Sequence, residues 1–270
     1  MQASDRRRFT APEGASALRY RQESATTARV PSDSRRDGRL AAQVRPIFLQ
    51  PGLVTEAAGS AYIEAGRTKV LCAVYGPKPT PPSAPFNPKA RLNVEIKFAP
   101  FASGVRRYVP GKDTEATGLA AVLQQSLLPS LLLETLPKSQ IDLFVTVLES
   151  DGWDNDLSIG VTAASVALAE AGIPMRGLVT ACSATLLPTP NSKSAILDPT
   201  RDEARESSAF VSLACMPALG TVTSLRLSGA MEPDLLADTL AKAHEVCTLL
   251  HGVAKQALVD SARRSRSDAE

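Results

Sequence analysis

The chain has 270 residues, of which 44% are hydrophobic and only 4% aromatic, and its formal net charge is +2. This length is enough for one large domain or two small ones with a buried core. The near-neutral balance excludes an overall basic field, so any affinity for nucleic acid must come from a local patch or a tail.

Positive charge is concentrated at the N-terminus. Residues 1–45 contain ten Arg and five acidic residues, whereas residues 258–270 contain three of each. Residues 1–43 are rich in Arg and Ser and poor in core-forming residues, which predicts a disordered basic arm. A mitochondrial presequence is the alternative, but acidic residues and a lack of apolar periodicity argue against it. No apolar stretch typical of a secretory signal is present.

Cysteine and histidine usage argues against a metal or cofactor site. The cysteines lie far apart in apolar runs, which is typical of small core residues in a reducing compartment. His244 and His251 are seven residues apart and lack the spacing of a metal-binding pair, so we expect no metal, no cofactor and no His base. No apolar run of about 18 residues occurs, so no membrane span is expected. The cysteines are Cys72, Cys182, Cys215 and Cys247.

Ordered structure is expected to begin near residue 44. Residues 59–66 alternate in polarity and residues 68–76 form an apolar run, and both patterns predict strands. Residues 77–90 contain six prolines, which predicts a surface loop outside any sheet. Residues 91–100 alternate again and predict a further strand.

The middle of the chain alternates between helix and strand signals. Residues 114–135 open with a capping pattern and continue with helical periodicity, which Pro129 should break or kink. Residues 140–150 predict a strand. Residues 155–172 predict an Ala-rich, close-packed helix that ends at Gly172.

The C-terminal part predicts more strands and a final helix. Residues 178–187 and 208–229 have strand character, and an amphipathic pattern follows from Pro233. The irregular alternation favours one α/β or α+β domain over residues 44–262, followed by a charged tail at 263–270. The apolar positions of the last helix are Leu236, Leu240, Ala243, Cys247, Leu250 and Ala254.

Several motifs in order resemble one known family. "GSAYIEAGRTKVLCAVYGP" (59–77) resembles the opening hairpin of RNase PH-type proteins. "VLESDGW" (147–153), followed by "AASVALAEAGIPM" (163–175), resembles their strand, DGG turn and central helix. "ILDPTRDEA" (196–204) resembles their acidic loop. The resemblance implies a ribosomal-S5-like βαβα fold with a mixed sheet and packed helices, and phosphate-dependent degradation of RNA in six-membered rings around a pore.

Within that family, the chain most resembles a ring subunit of the eukaryotic RNA exosome core, of the mRNA-transport-regulator type. The resemblance implies paralogous RNase PH-like neighbours in a hetero-hexameric ring, an S1/KH-type cap subunit and RNA as partners. It also implies roles in RNA degradation and rRNA processing, and a location in nucleus, nucleolus and cytoplasm.

The catalytic pattern of the active relatives is incomplete in this chain. Phosphorolysis needs cations to hold phosphate and carboxylates to bind a metal or move a proton. No Lys or Arg occurs in residues 152–172 or 113–137, where the active relatives carry arginines. Asp154 and Asp156 are expected to repel phosphate at the turn.

The acidic loop is also incomplete. Asp198 and Glu203 match the family, but Ala204 and Phe210 stand at the positions of the other carboxylates. We therefore expect no catalytic residues, and Asp198 is interpreted as a turn residue before proline, with an interface role as the alternative.

Contact with RNA is expected on the loop "FASGVRRYVPGK" (101–112). The predicted RNA-binding residues are Arg106, Arg107 and Lys112, because arginine pairs grip phosphates and the neighbouring Tyr108 can stack on a base. A solvated basic loop without that role is the alternative.

Three functions follow from the sequence. The first is a catalytically inert ring subunit, which the missing arginines and carboxylates favour. The second is an active phosphorolytic 3′-exoribonuclease or a contributor to a composite site. The third is an unrelated small-molecule enzyme. The sequence contains no Gly-rich nucleotide loop and no metal cluster, which argues against this function.

Overall fold

The computed structural model describes residue 35 and residues 37–81, 87–103, 113–187 and 195–267. Within these residues, nine strands form two sheets. The strands are β1 (Ile47–Pro51), β2 (Gly59–Ala65), β3 (Thr68–Pro79), β4 (Arg91–Phe98), β5 (Ser139–Glu149), β6 (Thr180–Leu186), β7 (Ile196–Leu197), β8 (Ala209–Met216) and β9 (Thr221–Gly229). The helices are α1 (Thr114–Leu127), α2 (Trp153–Glu170), α3 (Arg201–Glu206) and α4 (Pro233–Ser267).

The larger sheet has five strands in the order β1-β2-β3-β5-β4. Its pairs are antiparallel except for β4 and β5, which run parallel. The smaller sheet has four antiparallel strands in the order β7-β6-β8-β9. The prediction of one α/β domain with a mixed sheet and packed helices is therefore confirmed.

Helix α2 lies in the centre of the domain and packs against both sheets, contacting β2, β3 and β6. Ala163, Ala164 and Ala167 are fully buried along it, so small side chains let the strands approach closely. A Cβ added at Gly59 on β2 would lie 2.3 Å from the backbone nitrogen of Ala171. The predicted close-packed helix, with Gly172 following its C-cap at φ +70°, is confirmed.

Helices α1 and α4 both pack next to α2, and α1 also lies against β4. Asp113 caps α1 by accepting hydrogen bonds from the backbone N–H groups of Glu115 and Ala116. A short 3-10 turn containing Pro129 follows α1, as the proline predicts. Helix α4 packs on β6, β8 and β1, and it continues to Ser267, beyond the predicted domain end at residue 262.

Strand β3 differs from the sequence prediction at its end. It continues through Pro77 and Pro79 into the segment predicted as a loop, and Pro79 pairs with Ser139 of β5. Pairing with β2 has already ended at Val74, so this part of β3 has a neighbour on one side only. Prolines are tolerated there because a one-sided strand leaves alternate N–H groups without a ladder partner.

Packed structure also begins earlier than the predicted start at residue 44. Arg35 and Arg39 are buried, and Leu197 donates its backbone N–H to the carbonyl of Ala41. Residue 35 and residues 37–45 therefore lie against the second half of the chain. No helix in the described ranges combines the length and apolarity needed to cross a bilayer.

Candidate functional site

The two motifs predicted to form the site meet in the structure. The turn 150–153 leads from β5 into α2, and the acidic loop 198–200 leads from β7 into α3. The Asn155 side-chain amide donates to the carbonyl of Pro199 at 2.6 Å, and the Asp151 carboxylate accepts the backbone N–H of Arg201. Residues about 50 positions apart thus form one surface between the two sheets.

Asp198 is the most heavily hydrogen-bonded carboxylate of this surface. Its backbone has φ +50°, a left-handed conformation that Asp tolerates better than most residues. Arg45 forms a bidentate contact, with Nε donating to Oδ2 at 2.9 Å and Nη2 donating to Oδ1 at 2.6 Å. Arg39 adds a bond from Nη1 to Oδ2 at 3.0 Å, so two guanidinium groups neutralise one carboxylate.

Glu203 is held in the same way by a third arginine. Arg35 donates from Nε and Nη2 to the two carboxylate oxygens at 2.9 and 2.7 Å. The Glu203 side chain also accepts the backbone N–H of Thr200 at 2.7 Å, which completes a capping box at the start of α3. Glu203 therefore fixes both the N-terminal segment and the short helix.

The arginines form a connected network across the molecule. Arg45 bonds Asp151 through Nη1 at 2.8 Å while it holds Asp198. Arg35 also donates to the carbonyls of Leu197 and Asp198 at 2.8 and 2.7 Å. The network ties residues 35–45 to the acidic loop and to the turn after β5.

The network shifts the ionisation of its acids. Burial by itself raises the pKa of Asp198, but the hydrogen bond and charge of Arg45, with the charge of Arg39, outweigh it and hold that pKa below its usual value. Burial also opposes ionisation of Glu203, yet the hydrogen bond from Arg35 leaves the pKa of Glu203 lowered. Both groups are therefore carboxylates at neutral pH with their charge already compensated.

Asp156 behaves differently from these acids. It is only 4% exposed, the Ser150 hydroxyl donates to Oδ2 at 2.5 Å, and Oδ1 has no hydrogen-bond partner among the described residues. Burial raises the pKa of Asp156 to about 7. The expectation that Asp156 repels phosphate from the surface is not supported, because the group is buried and only partly ionised at neutral pH. The side chain of Asp154 lies outside the described part.

Apolar residues occupy the two positions at which the active relatives are expected to carry further carboxylates. Ala204 lies on α3, and Phe210 is buried at 7% exposure on β8. In the described ranges, no group of three or more His, Cys, Asp or Glu side chains is arranged to hold a metal ion. Asp198 and Glu203 are both held by arginines.

The fold places Arg201 next to the turn at Gly152, although residues 152–172 contain no Lys or Arg. A Cβ added at Gly152, which has φ +126°, would lie 3.7 Å from the Cα of Arg201. In the described parts, the Arg201 guanidinium forms no ion pair. Trp153, next along the chain, is covered by the Arg226 guanidinium at 4.4 Å from the ring centre.

The predicted RNA-binding residues Arg106, Arg107 and Lys112 lie outside the described residues, so their role stays a prediction. The burial of Arg35 and Arg39 does not follow from the sequence, because the composition of residues 1–43 predicts a disordered arm. One sequence signal does point to them. Asp198 directly follows an apolar strand and Glu203 lies at a helix start, and carboxylates buried at such positions require cationic partners.

The chain was also compared with known proteins. Residues 43–174 match the model of RNase_PH, described as "3' exoribonuclease family, domain 1". An exosome complex component Rrp41 from Thermococcus onnurineus is 39% identical over 199 residues, which are 73% of this chain and 77% of the relative. The chain belongs to the RNase PH family.

Two further similarities span most of the RNase PH domain. The exosome complex component MTR3 of Homo sapiens is 37% identical over 241 residues, or 84% of this chain and 87% of that protein. The crystal structure of rice (Oryza sativa) Rrp46 has a TM-score of 0.71 at 25% identity and covers 83% of this chain and 100% of its own. The RNase PH-type fold implied by the sequence motifs is therefore confirmed.

Proposed function

We propose that this chain is a non-catalytic subunit of the hexameric RNase PH-like ring of the RNA exosome. The observation that carries this proposal is the state of the acidic loop. The two carboxylates of this loop that match the family, Asp198 and Glu203, are held by Arg35, Arg39 and Arg45. A carboxylate held by guanidinium groups on both oxygens is not available to bind a divalent metal or to take a proton.

Assembly with paralogous subunits is supported by the relatives, several of which are named as exosome complex components. Apolar side chains on the smaller sheet's edge strand β9 support it as well. Val222, Leu225 and Leu227 are 57%, 49% and 43% exposed there, and an edge with exposed apolar groups favours association. In this role the chain shapes the RNA-threading pore for 3′-to-5′ processing and degradation.

The remaining partners and the cellular location are part of the same proposal. The ring would carry an S1/KH-type cap subunit, and Arg106, Arg107 and Lys112 would contact RNA in the pore. The complex would act in nucleus, nucleolus and cytoplasm, including on rRNA precursors. Mass spectrometry of the proteins that co-purify with the tagged chain, with fluorescence imaging of the same tag, tests these statements.

The catalytic statement is tested with purified protein. We expect the chain, incubated with RNA, inorganic phosphate and Mg²⁺, to release no nucleoside diphosphates, because several charge contacts to the transition state are missing and one such contact contributes about 2.7–4 kcal/mol. Robust turnover by the chain alone would contradict the proposal.

A contribution to a composite active site is the second candidate function. It is favoured by Arg201, whose backbone N–H bonds Asp151 and whose side chain lines the cleft next to the turn. This function predicts phosphorolysis by the assembled ring that Arg201→Ala abolishes while the ring stays intact. Under the non-catalytic function, any phosphorolysis by the ring is unchanged by that substitution.

A further inference from the structure

A cleft of about 500 Å³ opens on the side of the turn away from the arginine network. Its walls come from the start of β3, the end of β5, the segment after β4 and the start of α3. Arg67, Lys69 and Arg201 line it. Its size falls in the range of sites that enclose one small ligand or one nucleotide unit.

The charges in the cleft are not balanced. Lys69 is paired with Glu149 at 3.0 Å, and the Asp151 carboxylate is paired with Arg45 behind the cleft at 2.8 Å. Arg67 and Arg201 have no ion pair in the described ranges, so two guanidinium groups face the opening without a bound carboxylate. Planar guanidinium groups bind phosphate oxygens in bidentate fashion.

An aromatic ring stands at the rim of the same cleft. Phe101 is 72% exposed, although its neighbour Ala102 is buried. Its backbone is held in a turn, because Ala102 donates to the carbonyl of Ala99 at 2.9 Å and Ser150 donates to the carbonyl of Ala102 at 2.7 Å. An exposed ring on a hydrogen-bonded turn, lining the same cleft as two cations, is an arrangement that binds single-stranded nucleic acid by stacking and phosphate contact.

From this geometry we infer that the cleft is a binding site for single-stranded RNA, in which Arg67 and Arg201 hold phosphates and Phe101 stacks on a base. The inference rests on the proposed function and adds to it a binding site separate from the predicted loop at 101–112, apart from Phe101 itself. Phosphate contacts of this kind carry no sequence preference, so the site would hold any RNA strand.

The test uses the assembled complex that contains this chain and a fluorescein-labelled single-stranded oligoadenylate of about 12 nucleotides, within the usual range of site sizes. Fluorescence anisotropy gives the affinity at several salt concentrations. We expect the double variant Arg67→Ala/Arg201→Ala to bind at least about tenfold more weakly at low salt and to lower the salt slope by about 1.4, since each phosphate contact on a single strand adds about 0.7.

The control is Arg205→Ala, which removes one guanidinium group from the exposed side of α3 outside the cleft, and the single variant Arg201→Ala is compared with it charge for charge. Phe101→Leu is the second variant, because it keeps an apolar side chain but removes the stacking surface, and we expect about a tenfold loss of affinity with an unchanged salt slope. Equal effects of the double variant and Arg205→Ala would overturn the inference.

An acidic protein segment is the other ligand that such a cleft could take. A double variant that binds RNA normally but no longer retains a partner subunit would overturn the RNA assignment and favour that ligand. Native mass spectrometry of the wild-type complex shows whether the chain enters a ring. It therefore distinguishes a wrong RNA assignment for the cleft from a wrong ring function. If the wild-type chain enters no ring, the proposed ring function is wrong, and the anisotropy comparison on the chain alone still tests the cleft.

Discussion

The two sides of the turn at Asp151 and Gly152 use arginine in opposite ways. On one side, Arg35, Arg39 and Arg45 are buried and bonded to carboxylates. On the other side, Arg67 and Arg201 line an open cleft. The same residue type therefore stabilises the fold in one region and is available to a ligand in the other. The two roles differ in whether the arginine has a carboxylate partner. Counting arginines along the sequence does not reveal that partner.

The comparison predicts the largest effect on stability for Arg45→Ala. Removing Arg45 leaves the buried Asp198 with part of its charge uncompensated and also frees Asp151. Loss of one partner of a buried ion pair typically costs about 3–5 kcal/mol. Urea denaturation followed by circular dichroism measures the free energy of unfolding.

Arg67→Ala is the matched control for this measurement. Arg67 is exposed on the turn between β2 and β3, so we expect its removal to change the unfolding free energy by less than about 0.5 kcal/mol. If both substitutions destabilise the protein equally, the distinction between a structural and a ligand-binding set of arginines is wrong.

A second prediction concerns pH. Folding raises the pKa of Asp156 to about 7, so between the unfolded value near 4 and about 7 the folded state binds more protons than the unfolded chain. Stability contributed by the protonated group is therefore lost as pH rises through this window. Asp156→Asn keeps an acceptor for the Ser150 hydroxyl and removes the ionisation, so we expect it to stabilise the protein at pH 8 by on the order of 2–4 kcal/mol.

Thermal unfolding of both proteins at pH 5 and pH 8 measures this effect. The gain from Asp156→Asn should shrink towards pH 5, where the wild-type carboxyl is mostly protonated. A gain of the same size at both pH values would show that the carboxylate is not the cause.

The smallest expected effect concerns the cleft. Glu149 compensates Lys69 at its wall, and Glu149→Gln removes the carboxylate without changing the shape of the side chain. We expect RNA affinity to rise by about two- to fivefold, in line with the weak coupling of exposed charge pairs. Anisotropy titrations at low salt measure it, and a lower affinity would contradict a cleft that binds phosphate.

Much of the fold could be predicted because hydrophobic periodicity is a local property. The alternation of Leu92, Val94 and Ile96 marks one face of β4, and the Ala-rich run marks α2 as a close-packed helix. The prolines predict a loop at Pro79, but the structure places Pro79 in β3. Proline is tolerated there because β2 no longer pairs with this part of β3, and that is a property of the assembled sheet rather than of the local sequence. The short helix α3 was not predicted, since its capping box depends on Thr200 and Glu203 in a segment interpreted as a loop.

The sequence motifs identify the acidic loop and the turn at Asp151, but they do not predict the contacts that these segments make. Asp198 and Glu203 were identified from the acidic loop, and the turn at Asp151 was identified beside it. Their partner arginines are more than 100 positions away in sequence, and no local pattern relates Arg35 to Glu203. The sequence predicts Asp156 at a phosphate-binding surface, but its carboxyl is buried at the start of α2, where it accepts a hydrogen bond from the hydroxyl of the half-buried Ser150.

The arginine network also determines when the N-terminal segment can dock during synthesis. Arg35 and Glu203 are 168 residues apart, and ribosomes add about 5–20 residues per second. Roughly 10–30 s therefore pass between the synthesis of the cation and that of its carboxylate. During that interval Arg35 is exposed and positively charged on the nascent chain, so a residue made early is among the last to pack.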